Sequence, residues 1–243
     1  AHSAVKSLPD EDIGFIGFMM AGTGSGKTRT NMILMSELNK ETRFTVALGL
    51  RNLTLQTGTE YKDILGKNNL SVHIGSEPIL TMHKSDNNDI LSDDLLLTTD
   101  ESGSEVEIDE DFFMDDCEYQ KKPDLIDIYI KPAQHQYMLK PVLVSTIDSL
   151  MYSEKKPQMA LRLMTSDLVI DEIDNYGVVD QAAIMRLVKL SASYGRKVIV
   201  SSATLPPATA EAMFIAYQEG YKDYCLLHEK KNRLFCGWFS EYN

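Results

Sequence analysis

Short apolar runs recur along this chain, separated by longer stretches in which apolar residues return at helical spacing. Residues 13–20, 44–50, 70–74, 142–146, 167–171 and 197–201 form the runs. Most of them are apolar throughout instead of alternating, the pattern of strands covered on both faces. Between them, Ile184, Leu187, Val188 and Ser191 fall on one side of a helix over 183–190, and Gly195 stands where a left-handed cap would close it. Strands and helices alternating in this way predict an α/β fold, a mainly parallel sheet flanked by helices and joined by right-handed crossovers. A ligand then belongs at the carboxyl ends of the strands.

One stretch, 85–122, breaks the alternation with Ser, Asn, Gly and clustered carboxylates that show no sustained period, and it reads as an acidic insertion. A solvated surface loop explains it, and so does a docking or regulatory segment that competes with DNA for a basic groove. Asp109, Asp111 and Asp115 lie in it without the glycine and glutamate of a calcium-binding loop, so calcium is rejected. The insertion changes the meaning of the net charge of -12. Residues 86–118 hold 14 of the 36 Asp and Glu and no Lys or Arg, leaving 22 acidic against 24 basic residues elsewhere. Overall acidity is therefore no argument against a nucleic-acid partner, because steering depends on local potential.

With 243 residues, 43% of them hydrophobic, the chain can bury a sizeable core. One domain is expected over 1–220, with 221–243 as a connection toward a second domain. No apolar run approaches the roughly 20 residues that span a bilayer, and no secretory leader is read ahead of residue 13, so a cytoplasmic location is expected. Cys117, Cys225 and Cys236 show no Cys-x-x-Cys spacing and read as reduced thiols.

Candidate chemistry begins where the first apolar run ends. Ala21-Gly22-Thr23-Gly24-Ser25-Gly26-Lys27-Thr28 lies between a strand and a helix, the setting a phosphate-binding loop requires. Its glycines let successive N–H groups turn around a phosphate and the helix adds the positive end of its dipole. Lys27 is placed for the β/γ-phosphates, and the Thr28 hydroxyl for Mg²⁺. A nucleoside triphosphate, ATP, is the expected ligand. Asp171-Glu172-Ile173-Asp174 ends a later apolar strand; its first carboxylate suits Mg²⁺ and its second suits a water to be deprotonated, so Lys27, Asp171 and Glu172 are the catalytic candidates. Ser201-Ser202-Ala203-Thr204 ends the next strand and brings small hydroxyls toward the same crevice. Arg51-x-Leu53-x-x-Gln56-Thr57 and Ser145-Thr146-Ile147-Asp148 follow two other strands; their groups suit nucleic-acid backbone contact, and suit helix caps or internal loop bonds equally well.

In their order along the chain the five motifs resemble those of the first RecA-like domain, a P-loop NTPase unit, of a superfamily 2 DExD/H helicase. Ala21 in place of the usual first glycine is itself typical of that superfamily. Finer features are similar to the helicase-nuclease of type I CRISPR systems, most of all the subtype I-F form. They are Leu53-Thr54-Leu55-Gln56-Thr57-Gly58 with Tyr61, the run from Pro141 to Asp148, the run from Leu161 to Glu172, and Ser201-Ser202-Ala203-Thr204-Leu205-Pro206-Pro207.

The resemblance implies an ATP-driven translocase on single-stranded DNA, recruited by an RNA-guided surveillance complex in antiviral defence. It implies coupling of nucleotide state to strand movement through Asp174, Ser202 and Thr204, and strand contacts at Arg51, Gln56, Thr57 and Thr146. The HD nuclease of that family is expected outside these residues, since no His-Asp dipeptide occurs among His2, His73, His83, His135 and His228. A late Gln-x-x-Arg-x-x-Arg motif is also not found, so the arginine finger is expected on a second RecA-like domain of the same polypeptide, and the chain by itself is expected to turn over poorly. Two rivals remain: another superfamily 2 helicase acting on RNA or DNA, and a noncatalytic ATP-dependent interaction module.

Overall fold

The computed structural model describes residues 13–22, 24, 26–39, 42–73, 139–151 and 157–240. The acidic insertion, together with Thr23 and Ser25 of the phosphate-loop motif, lies outside them.

Among the described residues the chain runs β1 (Gly14–Met20), α1 (Lys27–Leu38), β2 (Phe44–Leu48), α2 (Arg51–Leu65), β3 (Leu70–His73), β4 (Val142–Thr146), α3 (Ile147–Met151), α4 (Pro157–Thr165), β5 (Asp167–Asp171), α5 (Val178–Ser193), β6 (Val198–Ser202), α6 (Pro207–Leu227) and β7 (Leu234–Ser240). The strands form one seven-stranded sheet in the order β3-β4-β2-β5-β6-β1-β7, and every pairing is parallel. This is the mainly parallel α/β sheet that the apolar runs predict.

Strand residues alternate between two cores, which is why whole strands are apolar. Ile16, Phe18, Leu168, Ile170, Val198 and Val200 pack on one face with Leu163 of α4, Val188 of α5 and Met213 of α6. Phe15, Val46, Val169 and Ile199 face the other way, with Leu34 and Met35 of α1 and Leu55 and Tyr61 of α2. Each such side chain, removed from water, stabilises the fold by about 1.5–3 kcal/mol.

Several boundaries differ from expectation for physical reasons. The strand expected over 44–50 stops at Leu48, short of Gly49, which lies so close to the Tyr176 ring that a Cβ there would sit 2.6 Å from it. The strand expected over 197–201 is shifted to Val198–Ser202, with Lys197 turned to hydrogen bonding: its N–H donates to Asp167 Oδ1 at 2.8 Å. Helix α5 extends beyond 183–190, and Gly195 closes it at φ 71° with its N–H on the Ala192 carbonyl. Residues 221–240, read as a connection, complete α6 and supply β7, whose Phe235 stacks on Phe15 and whose Trp238 leans on Phe18.

Candidate nucleotide site

Strands β5, β6 and β1 are adjacent in the sheet, and their carboxyl ends carry the acid motif, the serine pair and the phosphate loop. Register makes the meeting close: Asp171 pairs with Ser201, and Met20 with Ser202. Backbone bonds then tie the motifs together, from the Ala21 N–H to the Ser202 carbonyl at 3.2 Å and from the Glu172 N–H to the Ser201 carbonyl at 2.9 Å.

The loop is built from local backbone geometry. Gly24 and Gly26 hold φ of 80° and 82°, a left-handed region that costs an L side chain about 1 kcal/mol or more and costs glycine little. Helix α1 starts at Lys27 with no side-chain cap and no acidic residue in its first turn. No side chain of the helix itself neutralises its positive end, which is the condition for binding an anion there. Lys27 is buried at 9% exposure beside the acid motif, and its charge acts on Asp171.

Asp171 is 5% exposed and is held by a relay that begins on α1. The Asn31 amide donates to Ser201 Oγ at 2.9 Å, and the Ser201 hydroxyl donates to Asp171 Oδ1. The Glu172 N–H also reaches Oδ1, at 3.0 Å, so both donors fall on one oxygen of the carboxylate. Burial pushes the Asp171 carboxyl above the usual aspartate range, against the downward pull of Ser201 and then Lys27. Glu172 is raised as well, first by burial and then by Asp171. Its backbone is left-handed, φ 55° and ψ 48°, an uncommon place for a glutamate and one found at functional turns.

Asp174 is exposed on the following 3₁₀ turn, and Ser202 Oγ lies 2.8 Å from both its Oδ1 and the Thr204 carbonyl. These three coupling candidates therefore meet around one hydroxyl. The nucleic-acid candidates are more dispersed. They follow β2 and β4, the next strands along the sheet. Gln56 is exposed on α2, whereas Thr57 is buried and Thr146 is buried with its hydroxyl 2.9 Å from Ser149 Oγ. The Arg51 side chain is outside the described residues.

Two residues escaped the sequence reading. Asn31 lies one helical turn beyond Lys27 on the same face of α1, a spacing that was visible in the sequence. Its Oδ1 is buried without a hydrogen-bond partner, an unfilled acceptor beside the crevice. Glu60, from α2, accepts the Thr28 hydroxyl at 3.0 Å; nothing local marked it.

The donor set suits Mg²⁺: hard oxygens of Thr28 and Asp171 under a phosphate loop, with carboxylates in excess of lysine. Among the described residues no group of three or more His, Cys, Asp or Glu is close enough to hold a metal unaided. No described helix is long and apolar enough to cross a membrane.

No protein-family model matches the chain. It is 37% identical over 254 residues to the CRISPR-associated nuclease/helicase Cas3 subtype I-F/YPEST of Pectobacterium atrosepticum, covering 95% of this chain and 22% of that protein. It is 32% identical to the protein of the same name from Pseudomonas aeruginosa, with the same coverage of 95% and 22%. The chain thus spans about a fifth of the length of these relatives. Among solved structures, T. fusca Cas3-ADP shares the fold, with a TM-score of 0.61 and 18% identity over 96% of this chain and 23% of that one.

Proposed function

We propose, from the premise that the chain is homologous to one domain's length of the subtype I-F Cas3 nuclease/helicases, that it is the ATP-binding half of an ATP-dependent single-stranded DNA translocase acting in CRISPR interference. The observation that carries this reading is the convergence of phosphate loop, acid pair and serine pair on three neighbouring strand ends, joined by the Asn31–Ser201–Asp171 relay. T. fusca Cas3-ADP, which shares the fold, supports a nucleotide ligand.

In this reading the loop N–H groups and the start of α1 cradle the β- and γ-phosphates, and Lys27 balances their charge. Thr28 and Asp171 hold Mg²⁺, which when bound neutralises charge on the phosphate oxygens. Glu172 orients the attacking water and accepts its proton; burial and Asp171 raise its proton affinity, as that task requires. Ser202 lies between Asp174 and Thr204 and changes partner when the acid loop shifts, passing nucleotide state to strand movement. Gln56, exposed on α2, is the described polymer-contact candidate best disposed to touch a strand. The partners are single-stranded DNA, the RNA-guided surveillance complex, and the second RecA-like domain and HD nuclease of the same polypeptide.

The test is polymer-stimulated ATP hydrolysis by the full polypeptide. The expected result is stimulation by single-stranded DNA, little by RNA, and loss of hydrolysis in Glu172→Gln. Stimulation by RNA alone would transfer the chain to another superfamily 2 class. Absence of translocation, with partner binding unchanged in Lys27→Ala, would favour the interaction module.

A further inference from the structure

Two consecutive residues of α2 close on one residue of the phosphate loop. Glu60 Oε2 accepts the Thr28 hydroxyl at 3.0 Å, and the Tyr61 hydroxyl reaches the Thr28 carbonyl at 3.4 Å. Tyr61 is 1% exposed and its ring lies against Phe44 of β2, with centroids 6.0 Å apart. The turn that carries Glu60 is thus anchored in the core although Glu60 itself is exposed.

A hydroxyl that ligates a cation does so through an oxygen lone pair, so its proton must point to another acceptor. In this site Asp171 Oδ1 already receives two donors, from Ser201 and from the Glu172 N–H. Glu60 is the acceptor that takes the Thr28 proton.

Resting on the nucleotide reading above, we infer that Glu60 is a positioning residue: it accepts the Thr28 hydroxyl proton and so orients the oxygen lone pairs of Thr28 toward the divalent cation that accompanies the nucleotide. Partners of this kind, one step out from a ligand, fix ligand orientation and raise its basicity. Because Glu60 lies one turn beyond Gln56 and Thr57 on α2, the helix that carries candidate polymer contacts also holds the metal-binding hydroxyl.

The experiment titrates Mg²⁺ against binding of a fluorescent ATP analogue to the chain, with a parallel measurement in EDTA. Glu60→Ala is expected to raise the Mg²⁺ concentration at half-maximal binding about tenfold. Binding in EDTA should stay as in the wild type, and so should the thermal midpoint. Glu60→Gln, whose amide oxygen still accepts a hydrogen bond, should recover most of the shift. Thr28→Ala should raise the Mg²⁺ concentration at half-maximal binding by itself, and adding Glu60→Ala to it should change nothing more. An unchanged Mg²⁺ concentration at half-maximal binding in Glu60→Ala overturns the inference, as does an equal further shift in the Thr28→Ala background or an equal loss with and without Mg²⁺. A wild type that binds no analogue in either condition overturns the nucleotide reading itself, and the role of Glu60 with it.

Discussion

The two ends of the sheet use similar polar residues to opposite purposes. At the amino end, Arg162 is fully buried and its guanidinium donates to Thr45 Oγ1, to the Phe44 carbonyl and to the carbonyls of Lys140 and Pro141. Asp167 accepts the Lys197 N–H and the Asn39 amide, and Lys197 reaches the Leu38 carbonyl. These groups tie strand starts to helix ends. At the carboxyl end, Lys27, Asp171 and Glu172 crowd together, both carboxyls are raised by burial as Asp167 is at the amino end, Glu172 is left-handed, and Asn31 Oδ1 is unpaired. Polar burial stabilises a fold when each group is satisfied, and costs stability where a ligand is meant to complete the set. The same sheet contains both cases.

The sharpest way to break this contrast is Arg162→Ala. It takes one donor from three strand-edge carbonyls and from Thr45 Oγ1, although Arg43, the Phe44 N–H and Ser166 still serve Lys140, Pro141 and Thr45, and it empties a fully buried site, so the loss should be about 3 kcal/mol in urea unfolding. A loss under about 1 kcal/mol would mean that the amino end is not the stabilising pole. Arg162→Lys should rescue little, since an ammonium cannot match the planar fork.

A smaller effect is expected from Ser201→Ala, which cuts the relay between Asn31 and Asp171. Removing one partner of a buried bond should cost about 1–2 kcal/mol, and it should push the Asp171 carboxyl further up, because the hydroxyl holds it down. Unchanged stability would detach Asn31 from the site.

The smallest effect sharpens the contrast by its sign, since Asp171→Asn should raise the thermal midpoint. The folded-state pKa of Asp171 lies above the ordinary value of 3.8, so the ionised carboxylate costs the folded state stability above that folded pKa. The gain in the variant should be full there, and should vanish as pH falls through the folded pKa to below 3.8. A midpoint lowered at neutral pH would place Asp171 among the stabilising groups.

Much of this was legible in the chain because it depends on local pattern. Apolar runs marked six of the strands, and Gly24, Gly26 and Lys27 after such a run marked the loop, since phosphate binding there is a property of consecutive backbone. Strand β7 was not read: its Gly237 and the exposed Trp238 interrupt the run, and its place beside β1 comes from ring packing across the chain. Thr146, which the sequence left between a strand contact and a helix cap or loop bond, is buried with its hydroxyl on Ser149, and its pattern alone did not separate the two. Glu60 carries no local signal; its meeting with Thr28 is made by the anchoring of Tyr61 in the core. Neighbours in sequence announce themselves; partners brought together by the sheet do not.

The most direct test of the carboxyl end as a ligand site is Mg²⁺-dependent binding of a fluorescent ATP analogue to the chain beside Lys27→Ala and Glu172→Gln. Binding by the wild type and by Glu172→Gln, lost in Lys27→Ala with an unchanged fold, is the predicted result. Equal binding by the wild type and a folded Lys27→Ala would contradict the account.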